Sequence, residues 1–280
     1  NSEQRREGVE LTMRWSDTTP RKFTYEVGFN MTYFNSLWKV KADEALSDLM
    51  NPYKRQTHQT DYYGLGYIDT GLYQNKEDIL NSPRRLGSTQ TKLGDIGYTD
   101  VNGDGKIDGE DQVRIGKPTM PHFTYAFDFS LGYEGFTLSG LLYGTGERYM
   151  TFGNRYQSGE GKYLYYENQL NYWRPDNTGA DFPRISISSG VNGNNNKAGS
   201  TFWMRNASYL RLKDLQLSYD FKYKYLKKCD WLQTCRVNLS GSNLFTISGV
   251  SKFFDPETSS TSGDGYPVQR VYSIGVTIGF

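Results

Sequence analysis

The sequence predicts an all-β chain of about seven antiparallel strands, and three observations predict it. Large apolar side chains alternate with small or polar ones over many short stretches. Tyr, Phe and Gly are abundant, at 23, 15 and 30 of 280 residues, while the mean hydropathy is only −0.71. That combination suits sheets whose aromatics alternate with polar residues rather than forming solid apolar blocks. The links between the alternating stretches are, in turn, long and short.

In chain order, Val9, Leu11, Met13 and Trp15 alternate with Glu10, Thr12 and Arg14, giving one apolar face and one wet face. Phe23, Tyr25, Val27, Phe29, Met31 and Tyr33 do the same against Thr24, Glu26, Gly28, Asn30 and Thr32. Phe123, Tyr125, Phe127, Phe129, Leu131 and Tyr133 oppose Thr124, Asp128 and Ser130, and a less regular strand follows over 136–143. Leu215, Leu217, Tyr219 and Phe221 oppose Asp214, Gln216, Ser218 and Asp220, with another less regular strand over 236–245. Tyr272, Ile274, Val276, Ile278 and Phe280 oppose Ser273, Gly275, Thr277 and Gly279.

A soluble sandwich also alternates, so the pattern of any single strand fits a sheet with one face on a core. The links separate the two cases. Residues 35–121 and 149–207 make very long links and 246–271 a long one, whereas 16–22 is short, 222–235 is shorter than its neighbours and Glu134-Gly135 is a tight turn. Long links on one side and short ones on the other are the pattern of outer-membrane barrels, with long loops outward and short turns toward the periplasm. The apolar parity would then face lipid and the polar parity the lumen. A lipid-facing Arg or Lys costs roughly 2 to 4 kcal/mol at mid-bilayer and almost nothing near the interface. Arg211 and Lys213 share the parity of Leu215 and Leu217 but precede them, so the expectation is that they sit above the apolar band. Seven strands do not close a wall, since single-chain barrels of this kind use an even number from about eight upward. The expectation is therefore the C-terminal portion of a larger transmembrane β-barrel, spanning residues 1–280, with 35–121 and 149–207 as extracellular loops.

No apolar run approaches the length of about 18 residues that a spanning helix needs. Lys plus Arg at 32 against Asp plus Glu at 31 leaves a net charge of +1, with no polybasic stretch, so nucleic acid is not an expected partner. The N-terminal residues NSEQRREGVELTMRW contain no initiator Met and no apolar leader and run at once into alternation, as expected of a mature segment or a piece of something longer.

Several segments carry a family resemblance. They are Gly71-Leu72-Tyr73-Gln74 followed by Lys76-Glu77-Asp78-Ile79, the run from Gly94-Asp95-Ile96-Gly97-Tyr98 through Asp100-Val101-Asn102-Gly103-Asp104-Gly105, and Tyr172-Trp173-Arg174-Pro175-Asp176-Asn177 with Phe182-Pro183-Arg184. Tyr209-Leu210-Arg211-Leu212-Lys213-Asp214-Leu215, Ser242-Asn243-Leu244-Phe245-Thr246 and Phe254-Asp255-Pro256-Glu257 complete the set, ahead of a strand ending in Phe280. In this order, over about residues 60 to 280, the chain resembles the SusC/RagA-type TonB-dependent outer-membrane transporters of Bacteroidetes. The resemblance implies a barrel of about 22 strands with an N-terminal plug. It also implies import of oligosaccharides or peptides, a SusD-like surface lipoprotein as a hinged lid, and drive from the TonB complex. Neither the plug nor a TonB-binding segment is recognisable in these 280 residues, so contact with TonB is expected through another part of the protein.

Asp100, Asn102, Asp104, Lys106, Asp108 and Asp111 fall at positions 1, 3, 5, 7, 9 and 12 of a calcium-loop pattern, with Gly105 at the sharp turn and Ile107 at the hydrophobic eighth position. Hard oxygens at alternate positions wrap Ca²⁺, and Lys106 would offer its carbonyl. Asp111 replaces the usual bidentate Glu and shortens the reach. The alternative is a pair of Asn-Gly and Asp-Gly turns without metal. Cys229 and Cys235, in a link the topology puts in the oxidising periplasm, either form a disulfide or stand as free thiols. Tyr163, Tyr165, Tyr166, Tyr172 and Trp173 cluster in one long loop, where aromatics stack on sugars, meet a lid, or form loop core and girdle. Phe280, on the lipid parity at the periplasmic rim, resembles the terminal aromatic read during outer-membrane insertion.

His58 and His122 stand apart from any recognisable nucleophile or carboxylate pair, so no enzyme is expected. The alternative readings are a secreted calcium-binding β-rich glycan-binding or adhesion module and, third, a β-sheet glycosidase, for which no carboxylate pair is identifiable.

Overall fold

The computed structural model describes residues 1–60, 64–85, 87–88, 91–116, 120–157, 166–185, 191–258, 261, 265–266 and 268–280. Seven long strands form one antiparallel sheet in strict chain order: β1 Glu3–Thr18, β2 Thr24–Val40, β3 Phe123–Tyr133, β4 Phe136–Gly146, β5 Tyr209–Asp220, β6 Thr234–Ser248 and β7 Val271–Gly279. A two-residue strand at Gln59–Thr60 also pairs with β2. Every alternating stretch read from the sequence is a strand, and β1 and β2 extend well beyond the alternation that announces them. Because neighbours are sequential and antiparallel, links 41–122, 147–208 and 249–270 leave from one end of the sheet and 19–23, 134–135 and 221–233 from the other.

The tight turn between β3 and β4 follows from backbone chemistry. Glu134 and Gly135 both have positive φ, 47° and 87°, which matches the mirror-image turn whose twist agrees with that of the flanking strands. A side chain with a Cβ tolerates this conformation poorly at the second position, and glycine removes the problem.

The buried core lies outside the sheet. Tyr67, Ile96, Tyr98, Ile107, Phe152, Tyr156, Phe182 and Trp203 form one aromatic-rich cluster drawn from the links 41–122 and 147–208, with Phe253 and Phe254 of 249–270 packed against it. Short ladders fold each link on itself, among them 149–151 with 204–206, 64–66 with 113–115, and 69–72 with 96–98, and a parallel bridge of Tyr67 with Ser200 joins 41–122 to 147–208. The described residues of the three long links thus make a single packed body at one end of the sheet.

The sheet itself leaves its apolar parity uncovered. Ile274 is 74% exposed, Trp15 65% and Leu239 50%. A soluble sandwich would bury such residues for a gain of about 1.5 to 3 kcal/mol each. Among the described residues, strands β1 and β7 also keep one edge without a partner, which in lipid is costly because no water satisfies the open backbone groups.

Candidate functional site

The sheet register sorts the two parities onto opposite faces across all seven long strands. One cross-strand row reads Ser16, Glu26, Ser130, Ser139, Gln216, Ser240 and Ser273. The adjacent row, one residue along and on the other face, reads Tyr25, Leu131, Leu138, Leu217, Leu239 and Ile274 over β2 to β7. On the polar face Arg14 pairs with Glu26 at 3.1 Å and reaches Asp128 at 3.6 Å, and Ser242 donates to Asp214 at 2.7 Å. Such a surface holds water on one side and excludes it on the other.

Arg211 corrects one sequence expectation. It does not share the face of Leu215 and Leu217, because register shifts between Leu141 and Leu142 and between Leu212 and Asp214 mark a β-bulge at Lys213. The extra residue inverts the parity of the half of β5 that precedes it, nearer the loop body. Leu210 and Leu212 therefore join the apolar row, and Arg211 pairs across to Tyr143 and Thr246 on the polar side. There it is 1% exposed, with its guanidinium donating to Asp255 at 2.6 Å, Glu257 at 2.8 Å and Thr246 Oγ1 at 2.8 Å. Tyr209 Oη donates to Glu257 at 2.7 Å, and Lys213 Nζ lies 3.5 Å from the same carboxylate. A buried guanidinium is tolerated because two carboxylates and a hydroxyl occupy its donors.

The segment 100–111 folds as a tight loop closed by its own amides. Asp100 accepts from the backbone N–H of Gly103 at 2.6 Å and Gly105 at 2.7 Å, Asn102 from Asp104 at 3.0 Å, and Asp104 from Lys106 at 2.9 Å. Asp111 is fully buried and accepts from Val101 and Asp108, each at 2.8 Å. Gly105, at φ 83°, makes the sharp turn. Among the described residues no group of three His, Cys, Asp or Glu side chains is gathered for a metal ion. The oxygen donors of the loop fit a hard cation in type, and Asp111 spends both oxygens on backbone donors.

The aromatic cluster divides. Trp173 is buried, donates Nε1–H to Gln74 at 2.9 Å and lies so close over Gly94 that a Cβ there would strike its ring. Tyr166 and Tyr172 pack against the loop core, Tyr166 on Tyr156 with ring centroids 4.9 Å apart, and Arg174 sits 5.1 Å over the Tyr172 ring. Tyr163 and Tyr165 lie outside the described residues. Cys229 and Cys235 are free, half-buried thiols. Phe280 is exposed and stacks on Trp231 of the 221–233 link, with centroids 5.7 Å apart and planes 13° apart. His122 is buried at the base of β3, edge-on to Phe34 at 5.5 Å, with Glu147 3.8 Å from Nδ1.

Sequence reasoning missed two polar joints. The fully buried Asp95 accepts from Arg184 Nε at 2.6 Å, from Asn196 at 2.9 Å and from the backbone N–H of Lys92 at 2.8 Å, uniting links 41–122 and 147–208. Tyr98 donates to the Asn195 carbonyl at 2.7 Å, and burial pushes its phenol above the ordinary tyrosine range. Burial also draws the Arg205 guanidinium below its usual value. The signal for the first joint was available, since Asp95 and Arg184 both fall in segments that carry the family resemblance.

No family model matches the chain. It is 26% identical over 297 aligned positions to TonB-dependent receptor P3 of Formosa agariphila, covering 98% of this chain and 28% of that protein. It is likewise 26% identical to TonB-dependent receptor P26 of the same organism, over 75% of this chain and 22% of the relative. Among solved structures, the RagAB peptide transporter superimposes with a TM-score of 0.68 at 20% identity, covering all of this chain and 30% of that one. The RagAB peptide importer in its open-open state gives 0.70 at 20% identity, with 100% and 29% covered. The chain thus spans under a third of the length of the proteins it matches. In sequence it is similar to TonB-dependent receptors and in fold to a portion of RagAB, and together these identify it as resembling a fragment of a SusC/RagA-type TonB-dependent transporter.

Proposed function

We propose that this chain is a section of the wall and outer loops of an outer-membrane importer that takes up oligosaccharides or peptides. The observation that carries the reading is the pair of adjacent cross-strand rows, a polar one running from β1 to β7 and an apolar one running from β2 to β7. A sheet with one wet face, one uncovered apolar face and two open edges is suited to a closed barrel in lipid, completed by strands outside this chain. The relatives are named receptors and peptide transporters, which favours peptide cargo as the first to test.

In this reading the packed body of long links faces outward, where a SusD-like surface lipoprotein closes over it. TonB acts through another part of the protein. Phe280 with Trp231 lies at the periplasmic rim. Ca²⁺ at Asp100, Asn102, Asp104 and the Lys106 carbonyl would stiffen one loop of the outer body, with Asp108 at the rim of the site and Asp111 holding the loop closed from within.

The test is fractionation of cells expressing the full-length protein, followed by energised uptake of labelled peptides and oligosaccharides. The reading expects the protein in the outer membrane, released only by detergent, and uptake that needs TonB. Recovery from the soluble fraction without detergent would instead promote the secreted calcium-binding module.

A further inference from the structure

Residues 251–256, 268 and 270 of the link 249–270 lie against the polar face where β5 and β6 meet the loop body, and between them is an open cavity of about 360 Å³. Arg211 forms part of its lining, but Asp255 and Glu257 already balance that charge at 2.6 and 2.8 Å. Lys252 and Arg270 also line it, both exposed, and neither has a carboxylate partner among the described residues. The cavity therefore carries positive charge that the described residues do not answer. Thr246 Oγ1 accepts from Arg211 Nε at 2.8 Å, which leaves its own hydrogen to donate. Phe253, Phe254 and Pro256 add an apolar wall, and Phe253 and Phe254 are anchored in the loop core.

We propose that this cavity is a subsite for a carboxylate group of the cargo. Lys252 and Arg270 meet the charge, the Thr246 hydroxyl donates a hydrogen bond, and the aromatic wall takes the carbon skeleton next to the carboxylate. The Arg211 clamp is a positioning element here, since it fixes the link that carries Lys252 and the two phenylalanines. The inference deepens the import reading and rests on it. Within the cargo classes of that reading, peptides and the acidic members of the oligosaccharides present carboxylates. Because the cations are exposed, the gain is modest and screened by salt.

The experiment uses the full-length protein in detergent and two probe pairs: an N-acetylated alanine tripeptide against its C-terminal amide, and a galacturonic acid trimer against its methyl ester. Calorimetric titration is expected to show tighter binding of the carboxylate form in at least one pair, and that pair identifies the source. The double variant Lys252→Gln with Arg270→Gln should weaken the carboxylate form roughly three- to tenfold and leave the neutral form unchanged. The charge-keeping pair Lys252→Arg with Arg270→Lys should retain most of the preference. Equal binding of charged and neutral forms, absence of binding by every probe, or a double variant indistinguishable from the parent would overturn the subsite. Membrane location and uptake of neutral cargo would stand in those cases, so the import reading fails separately, by fractionation.

Discussion

Arg211 on β5 and Glu257 in the link 249–270 lie 46 positions apart and are joined by an ion pair of 2.8 Å. The pair exists because one extra residue at Lys213 turns Arg211 from the apolar face to the polar one. Tyr209 donates to the same carboxylate, so two alternate residues of one strand hold one point of the loop. The loop body is thereby fixed to the sheet through charge.

Replacing Arg211 with Ala should therefore cost about 3 to 5 kcal/mol, the range for breaking a buried pair and leaving its partners uncompensated. Thermal unfolding of the full-length protein in detergent measures the loss, and proteolysis should move to residues 249–270. Unchanged stability would show that the clamp is ornamental.

The loop 100–111 gives a second test. Asp100, Asp104, Asp108 and Asp111 lie close in sequence, and a bound cation would offset their mutual repulsion. Chelator or Asp104→Ala should open this loop to protease while the sheet stays folded, with an affinity around 10⁻⁴ to 10⁻³ M as in extracellular modules. Cleavage between residues 90 and 120 that ignores calcium would leave a loop closed by its own amides.

Tyr98 sets an alkaline limit. Burial raises its phenol in the folded state, so the stability it contributes is present below the ordinary tyrosine value of about 10 and is lost as pH rises toward the folded value. Loop-body unfolding followed by tryptophan emission should begin above about pH 10, and Tyr98→Phe should flatten that dependence while losing the bond to Asn195.

Deleting Phe280 in the full-length protein should lower the inserted fraction, read by heat-modified migration and surface labelling. Trp231→Ala removes the stacked ring and keeps Phe280, and should lower insertion less. Surface levels unaffected by the deletion would reduce Phe280 to packing.

Much of the wall was legible because the side-chain period of a strand is written directly in the sequence. Tyr272, Ile274, Val276 and Ile278 announce their face without any partner. Arg211 was misplaced because a bulge is a property of two strands: nothing within Leu210-Arg211-Leu212-Lys213 distinguishes a regular strand from one that must accommodate Leu141 and Leu142 opposite. The loop body was illegible for the same reason. Asp95 with Arg184, Gln74 with Trp173, and Arg211 with Asp255 are long-range pairs between segments that the family resemblance singles out. Those segments were recognisable as a set, and their geometry shows that they hold one another. The sequence offers Trp173 either as a contact for cargo or lid or as loop core, and its buried ring bonded to Gln74 belongs to the loop core.

The central claim, that one face of this sheet meets lipid and the other water, is tested most directly on β3. Spin labels placed singly along Phe123–Tyr133 of the full-length protein in liposomes report collision with oxygen, which partitions into lipid, and with a water-soluble nickel chelate. The account predicts a period of two, with positions 127, 129 and 131 accessible to oxygen and 128 and 130 to the chelate. Water accessibility along the whole strand, or no alternation between neighbours, would contradict it.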